Sequence, residues 1–210
     1  MKVLAYDNGS EGKHGIPMGV RESIDKYWKS NWVSPWDNRL ASSLSAILSA
    51  NPKTKGFNFL DLGCGSSPIE NGENYSSQCS IYINDGCFPV LPLAMQALGA
   101  NVMGIDHGEY GEGFFPFKRG DLCRKGSLDF IPDHSIDIAH AGQLFDSPTL
   151  QGLGYTSRQL QERILPQLKR VVKPKGYFIY SGMASDEFKN EAAIIFARES
   201  GRSESVFAYG

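Results

Sequence analysis

Residues 57–68 read Phe57-Asn58-Phe59-Leu60-Asp61-Leu62-Gly63-Cys64-Gly65-Ser66-Ser67-Pro68, and the fold is decided there. Phe57, Phe59, Leu60 and Leu62 form an apolar run too short for a helix and rich enough for a buried strand. The run closes on Asp61 and a pair of glycines. Glycine has no Cβ, so the backbone at Gly63 and Gly65 can turn sharply and come within contact distance of a ligand. A carboxylate on such a turn, in front of backbone N–H groups, can face a ligand that carries both an ammonium and an acid. A dinucleotide fingerprint would need a third glycine where Pro68 stands, and a Walker loop would need a lysine that is absent. Nicotinamide, flavin and phosphate-loop chemistry are therefore disfavoured.

The rest of the chain suits one α/β domain. Its 210 residues are enough for a single core, and 41% apolar with 21% charged residues is ordinary for a soluble protein. Net charge is −2. The densest basic group, Lys169, Arg170, Lys173 and Lys175, falls where a helix should end, so it reads as charge that complements the helix dipole. Binding to bulk nucleic acid or to anionic membrane is not expected. Cys64, Cys79, Cys87 and Cys123 show no paired spacing and no secretory leader precedes them, so reduced thiols in a cytoplasmic protein are expected. Scattered histidines and cysteines lack metal-ligand spacing, and no metal site is expected.

Residues 1–55 read as an N-terminal arm followed by cap helices, the arm being rich in Gly, Asn and charge. Helical spacing begins near Arg21 with Ile24, Tyr27, Trp28 and Trp32, and resumes with Leu40, Leu44, Ile47 and Leu48. After the glycine turn comes a polar run, 66–85, and then a helix over 88–98 with Gly99 as its C-terminal cap. Ala100 to Asp106 is the next buried strand. Asp106 lies 41 residues beyond Gly65, where a compact unit needs about 20, so residues 66–85 are an insertion beside the turn and a lid candidate. A third strand should end near Lys118 to Asp121, a fourth at Ile136 to His140, and a fifth at Tyr177 to Tyr180. Ser157 is placed to cap a helix that Lys173-Pro174-Lys175-Gly176 stops. The closing stretch reads as an antiparallel hairpin of 192–197 and 206–209, with a helix over 185–199 as its rival. The expected architecture is a Rossmann-like doubly wound sheet, mostly parallel, with an antiparallel C-terminal strand and a helical N-terminal cap.

Asp61-Leu62-Gly63-Cys64-Gly65 resembles the first motif of class I S-adenosylmethionine-dependent methyltransferases, and the order of G-I-D, R-G-D-L, S-I-D-I-A-H and L-K-R-V-V-K-P-K-G-Y extends the likeness to about Gly182. The resemblance implies S-adenosylmethionine as cofactor. Asp61, Gly63, Cys64, Gly65 and Ser66 would meet its methionine end, Asp106 and His107 its ribose, and Asp121 and Leu122 its adenine. His140 ends the fourth strand and is the candidate base for the acceptor's proton; backbone contact with the cofactor is its alternative role. Lys26 to Asp37, K-Y-W-K-S-N-W-V-S-P-W-D, resembles the entry segment of the thiol and halide methyltransferases related to thiopurine methyltransferase. That likeness would set Trp32 and Trp36 over the donor and acceptor. Asp146 and Tyr155, in the loop after the fourth strand, are further candidates for acceptor contact. A small-molecule acceptor is implied, and a noncatalytic cofactor-binding or scaffold protein is the rival reading.

Overall fold

Strands form where the period-two alternation is buried on both faces. In the computed structural model these are β1 (Lys2–Tyr6), β2 (Asn58–Leu62), β3 (Asn101–Asp106), β4 (Phe117–Arg119), β5 (Ile136–Gly142) and β6 (Val172–Ser181). The helices are α1 (Val90–Ala97), α2 (Pro148–Gly152) and α3 (Ser157–Val171), with a further helical stretch at 43–48. The structure describes residues 1–6, 43–48, 50–65, 89–108, 115–142, 144–145 and 147–181. The Trp-rich segment 26–37, the insertion 66–85 and the expected closing hairpin lie outside the described residues.

The strands make one sheet in the order β1-β6-β5-β2-β3-β4, and every ladder is parallel. Alternation divides the core. Leu60, Leu62 and Ile105 point to the face covered by α3, while Phe59 and Val102 point to the face covered by α1, Leu44 and Ile47. Helices on both faces of a parallel sheet give an α/β layering compatible with a Rossmann-like fold.

Three expectations need correction. The arm is not loose at its start: Lys2–Tyr6 pairs with β6, Lys2 opposite Tyr177 and Tyr6 opposite Ser181. The place beside β6 is thus taken by a parallel strand from the chain's beginning. The helix cap is Thr156, not Ser157; its hydroxyl accepts from Gln159 N–H while the Gln159 side chain accepts from Thr156 N–H. Finally, Lys173 to Gly176 does not separate helix from strand. The helix passes directly into β6, and these four residues are accommodated by a register shift, with Ile136 opposite Val172 but Ile138 opposite Tyr177. Proline has no N–H to give a ladder, so Pro174 is tolerated only at such an irregularity.

Gly99, with φ 85°, follows the C-cap Leu98 of α1 in the left-handed conformation its sequence position called for. Asp137, near the opposite end of β5 from the glycine turn, is structural: it accepts from Asn58 N–H at 2.8 Å and from Lys173 Nζ at 2.6 Å.

Candidate functional site

The chain builds β2, β3 and β4 outward in one direction, then crosses back to lay β5 and β6 on the other side of β2. Parallel strands put their C-terminal ends on one edge, and the reversal between β2 and β5 opens the crevice where ligands of such sheets bind. Gly63 to Gly65 sits at that reversal. Gly63 (φ 68°) and Gly65 (φ 89°) both occupy the left-handed region. A Cβ on Gly63 would lie 2.8 Å from Leu144 Cδ1, so the loop after β5 closes tightly onto the turn. Cys64 is buried between the two glycines, its thiol facing Gly65 O at 3.3 Å, and burial pushes that thiol well above its ordinary range. A buried, protonated thiol is inert.

Asp106 ends β3 and reaches back to the turn. Its Oδ2 accepts from Gly65 N–H at 3.0 Å, and its Oδ1 accepts from Gly108 N–H at 3.2 Å and meets His107 Nδ1 at 3.0 Å. Burial pushes the carboxyl up, but the bonds from His107, Gly108 and Gly65 together outweigh it and hold Asp106 below the usual carboxylate range. The same contact raises the His107 imidazole, whose side chain is about half exposed.

Asp121 lies two residues past β4. Its Oδ1 accepts from Cys123 N–H at 2.9 Å, and its Oδ2 accepts from the Tyr155 hydroxyl at 3.0 Å, with Arg124 Nε 3.5 Å away. The Tyr155 phenol is raised by that hydrogen bond. Tyr155 thus joins the loop after β4 to the entry of α3, a neighbourhood the chain order does not advertise. Leu122 does not present itself at the edge: it is buried in the core on the α3 side, beside Cys123, whose thiol burial pushes up to about 11.

Asp61 departs from its expected place. By the strand's alternation it shares a face with Phe59 and points inward, where its Oδ1 meets His140 Nδ1 at 2.7 Å. The two residues are paired in register across β2 and β5 and are each 3% exposed. Phe59 stacks on the imidazole, ring centroids 6.3 Å apart. Burial pushes the Asp61 carboxyl up, and the contact with His140 draws it part of the way back. Asp61 is therefore turned away from the role of facing a ligand's ammonium.

Gly63, Cys64, Gly65, Asp106 and His107 thus gather at the edge near the buried Asp61–His140 pair, while Asp121 and Tyr155 form a separate contact past β4. Ser66, Trp32, Trp36 and Asp146 lie outside the described residues. Leu144 was not singled out from the sequence, and Phe59 was read only as part of the buried strand, not as a neighbour of His140. The period-two reading of β2 could have found Phe59 beside Asp61, but Leu144 carries no local signal. Among the described residues no group of His, Cys, Asp and Glu side chains could hold a metal ion, and no helix is long and apolar enough to cross a membrane. No protein-family model matches the chain, and neither does any curated protein.

Proposed function

We propose that this protein is a class I S-adenosylmethionine-dependent methyltransferase acting in the cytoplasm on a small-molecule nucleophile. The observation that carries the reading is the meeting of Asp106 with the glycine turn at the strand-order reversal. An ionised acid at the end of β3 lies one hydrogen bond from Gly65 N–H, at the sheet edge where an adenosyl ligand would lie.

The residues fit the cofactor in part. Gly63 and Gly65 take the positive φ that the tight turn needs, and the bare side of Gly63 is filled by Leu144. Asp106 stays ionised and can accept from both ribose hydroxyls, which would join or replace the Gly65 and His107 donors. Asp121 is held by Tyr155 and Cys123 N–H at the mouth of the neighbouring loop and can share an oxygen with the adenine amine. Asp61 does not fit the methionine ammonium, because it is buried on His140. The N–H groups of Gly63 and Cys64 donate to Ile105 O and that of Gly65 to Asp106, so a methionine carboxylate would have to draw its donors from beyond Gly65.

When bound, S-adenosylmethionine supplies a methyl group already made electrophilic by its sulfonium and leaves as a neutral thioether. The chain's own work is to hold an acceptor in line with that methyl, exclude water, and take a proton where the acceptor has one to lose. A noncatalytic cofactor-binding protein would use the same edge, without the last of these.

Calorimetry with S-adenosylhomocysteine tests the reading. The wild type should bind, and Asp106→Ala should lose about 1.5–3 kcal/mol of affinity, the value of hydrogen bonds to a charged group. A wild type that does not bind would end the proposal. Equal affinity in both proteins would remove Asp106 from the site.

A further inference from the structure

Resting on that reading, we infer that the His107 imidazole is a latch on Asp106 that the cofactor's ribose turns out, so that acid weakens cofactor binding. An ionised carboxylate offers about four lone-pair positions to hydrogen-bond donors. At least three are taken at Asp106: Gly65 N–H meets Oδ2, while Gly108 N–H and His107 Nδ1 meet Oδ1. A ribose brings a vicinal pair of hydroxyls, at least one donor too many for the carboxylate as it stands. A donor already in place has to leave.

The donors differ in how easily they move. Gly65 N–H belongs to a turn pinned to β3, where Gly63 N–H and Cys64 N–H donate to Ile105 O at 2.8 and 3.2 Å. Gly108 N–H follows the acid by two residues, so its direction is set by the backbone that carries Asp106. Between them His107 O accepts from Arg119 Nε at 3.2 Å, which ties that backbone to β4. The imidazole hangs instead on side-chain rotation. With its side chain 48% exposed, it can swing into water without moving the main chain. The ribose diol therefore replaces His107 and leaves both backbone donors in place.

Charge gives the latch its sign. A hydrogen bond to a carboxylate is about twice as strong when the donor is also ionised, so an imidazolium holds Asp106 more firmly than a neutral ring. Among the described residues, Asp106 of β3, Asp121 past β4 and Arg119 of β4 are the charged groups that act on His107. The hydrogen bond to Asp106 does most to raise the imidazole above its ordinary 6.5, and the charges of Asp106 and Asp121 add to it. Partial burial and Arg119 oppose the rise without cancelling it. Turning the ring out removes the leading cause, so the bound protein holds that proton less firmly than the free protein. Affinity for an adenosyl ligand is then complete above the free protein's His107 pKa and falls as pH drops through it. Asp106, held below the usual carboxylate range, stays ionised throughout that window.

The test is calorimetry of the full-length protein with S-adenosylhomocysteine at about pH 5.5 and about pH 8, on either side of the ordinary imidazole value. The wild type should bind about three- to tenfold more weakly at the lower pH. His107→Ala should bind at least as tightly as the wild type at the higher pH and lose the acid limb. Any slope from the ligand's own ammonium is common to both proteins. NMR titration of the wild-type His107 ring gives a second readout: its pKa should fall when S-adenosylhomocysteine binds.

A loss of about threefold or more in His107→Ala at the higher pH would make His107 a ribose contact and overturn the inference. Equal wild-type affinity at both pH values would overturn it too, as would a His107 pKa that rises or stays put on binding. If the variant does not fold, the wild-type measurements decide. A wild type that binds S-adenosylhomocysteine at neither pH would sink the methyltransferase reading and the latch together, whereas binding without pH dependence would sink the latch alone.

Discussion

Asp61 and Asp106 sit near the C-terminal ends of neighbouring parallel strands, and their surroundings drive them in opposite directions. Asp61 is closed into the sheet with one imidazole, and burial raises its carboxyl. Asp106 is nearly as enclosed, yet two backbone N–H groups and His107 hold it ionised. Two acids on one edge, pushed apart by desolvation on one side and by directed donors on the other, are equipped for different tasks.

The largest expected effect breaks the Asp61 half. Asp61→Ala leaves a buried imidazole nitrogen without its carboxylate and opens a cavity, and should cost about 2–4 kcal/mol in urea unfolding. A loss under about 1 kcal/mol would mean that the pair is solvated and the contrast with Asp106 false. Next comes Gly104, which lies opposite Asp61 in register and one turn of the pleat from Asp106. A Cβ there would lie 2.6 Å from Phe115 Cε2 and 2.7 Å from Cys64 Sγ, so Gly104→Ala should cost about 1–3 kcal/mol by overpacking. Unchanged stability would show that Cys64 is free to move and that the wall between the two acids is soft.

The subtlest test follows pH. Asp61 has a folded pKa above the ordinary 3.8, so its contribution to stability is complete below that value and is lost as pH rises through the folded pKa. Asp106 has a folded pKa below 3.8, so its contribution is complete above that value and is lost as pH falls through the folded pKa. Urea unfolding across this range should therefore separate the variants. Asp61→Asn should flatten the dependence above 3.8, and Asp106→Asn the dependence below it. Both variants flattening the same limb would erase the difference between the acids.

Much of the sheet was legible because it is written locally. Buried runs punctuated by Gly, Asp and Pro located β2 to β5, and the same punctuation put Asp106 and Asp121 at strand ends. What escaped was pairing at a distance. Lys2–Tyr6 was read as an arm because the residues after it are polar, while its partner strand lies at the far end of the described chain. The Asp61–His140 bond spans 79 residues and depends on a register that no local pattern encodes. Tyr155 was named as an acceptor contact, but its bond to Asp121 arises from the packing of α3 against the segment after β4. The Lys173 to Gly176 stretch misled for the opposite reason: strong turn-formers were absorbed by a bulge within a strand.

The joining of β1 to β6 also sets a clock on biosynthesis. Met1 and its partner Pro174 are separated by 173 residues, so β1 is made long before the strand it pairs with. At about 5–20 residues per second, β1 waits roughly 10–35 s with its backbone donors and acceptors unmatched. Until then β1 is an open β edge on the nascent chain, and chaperone occupancy there should end only once β6 has emerged.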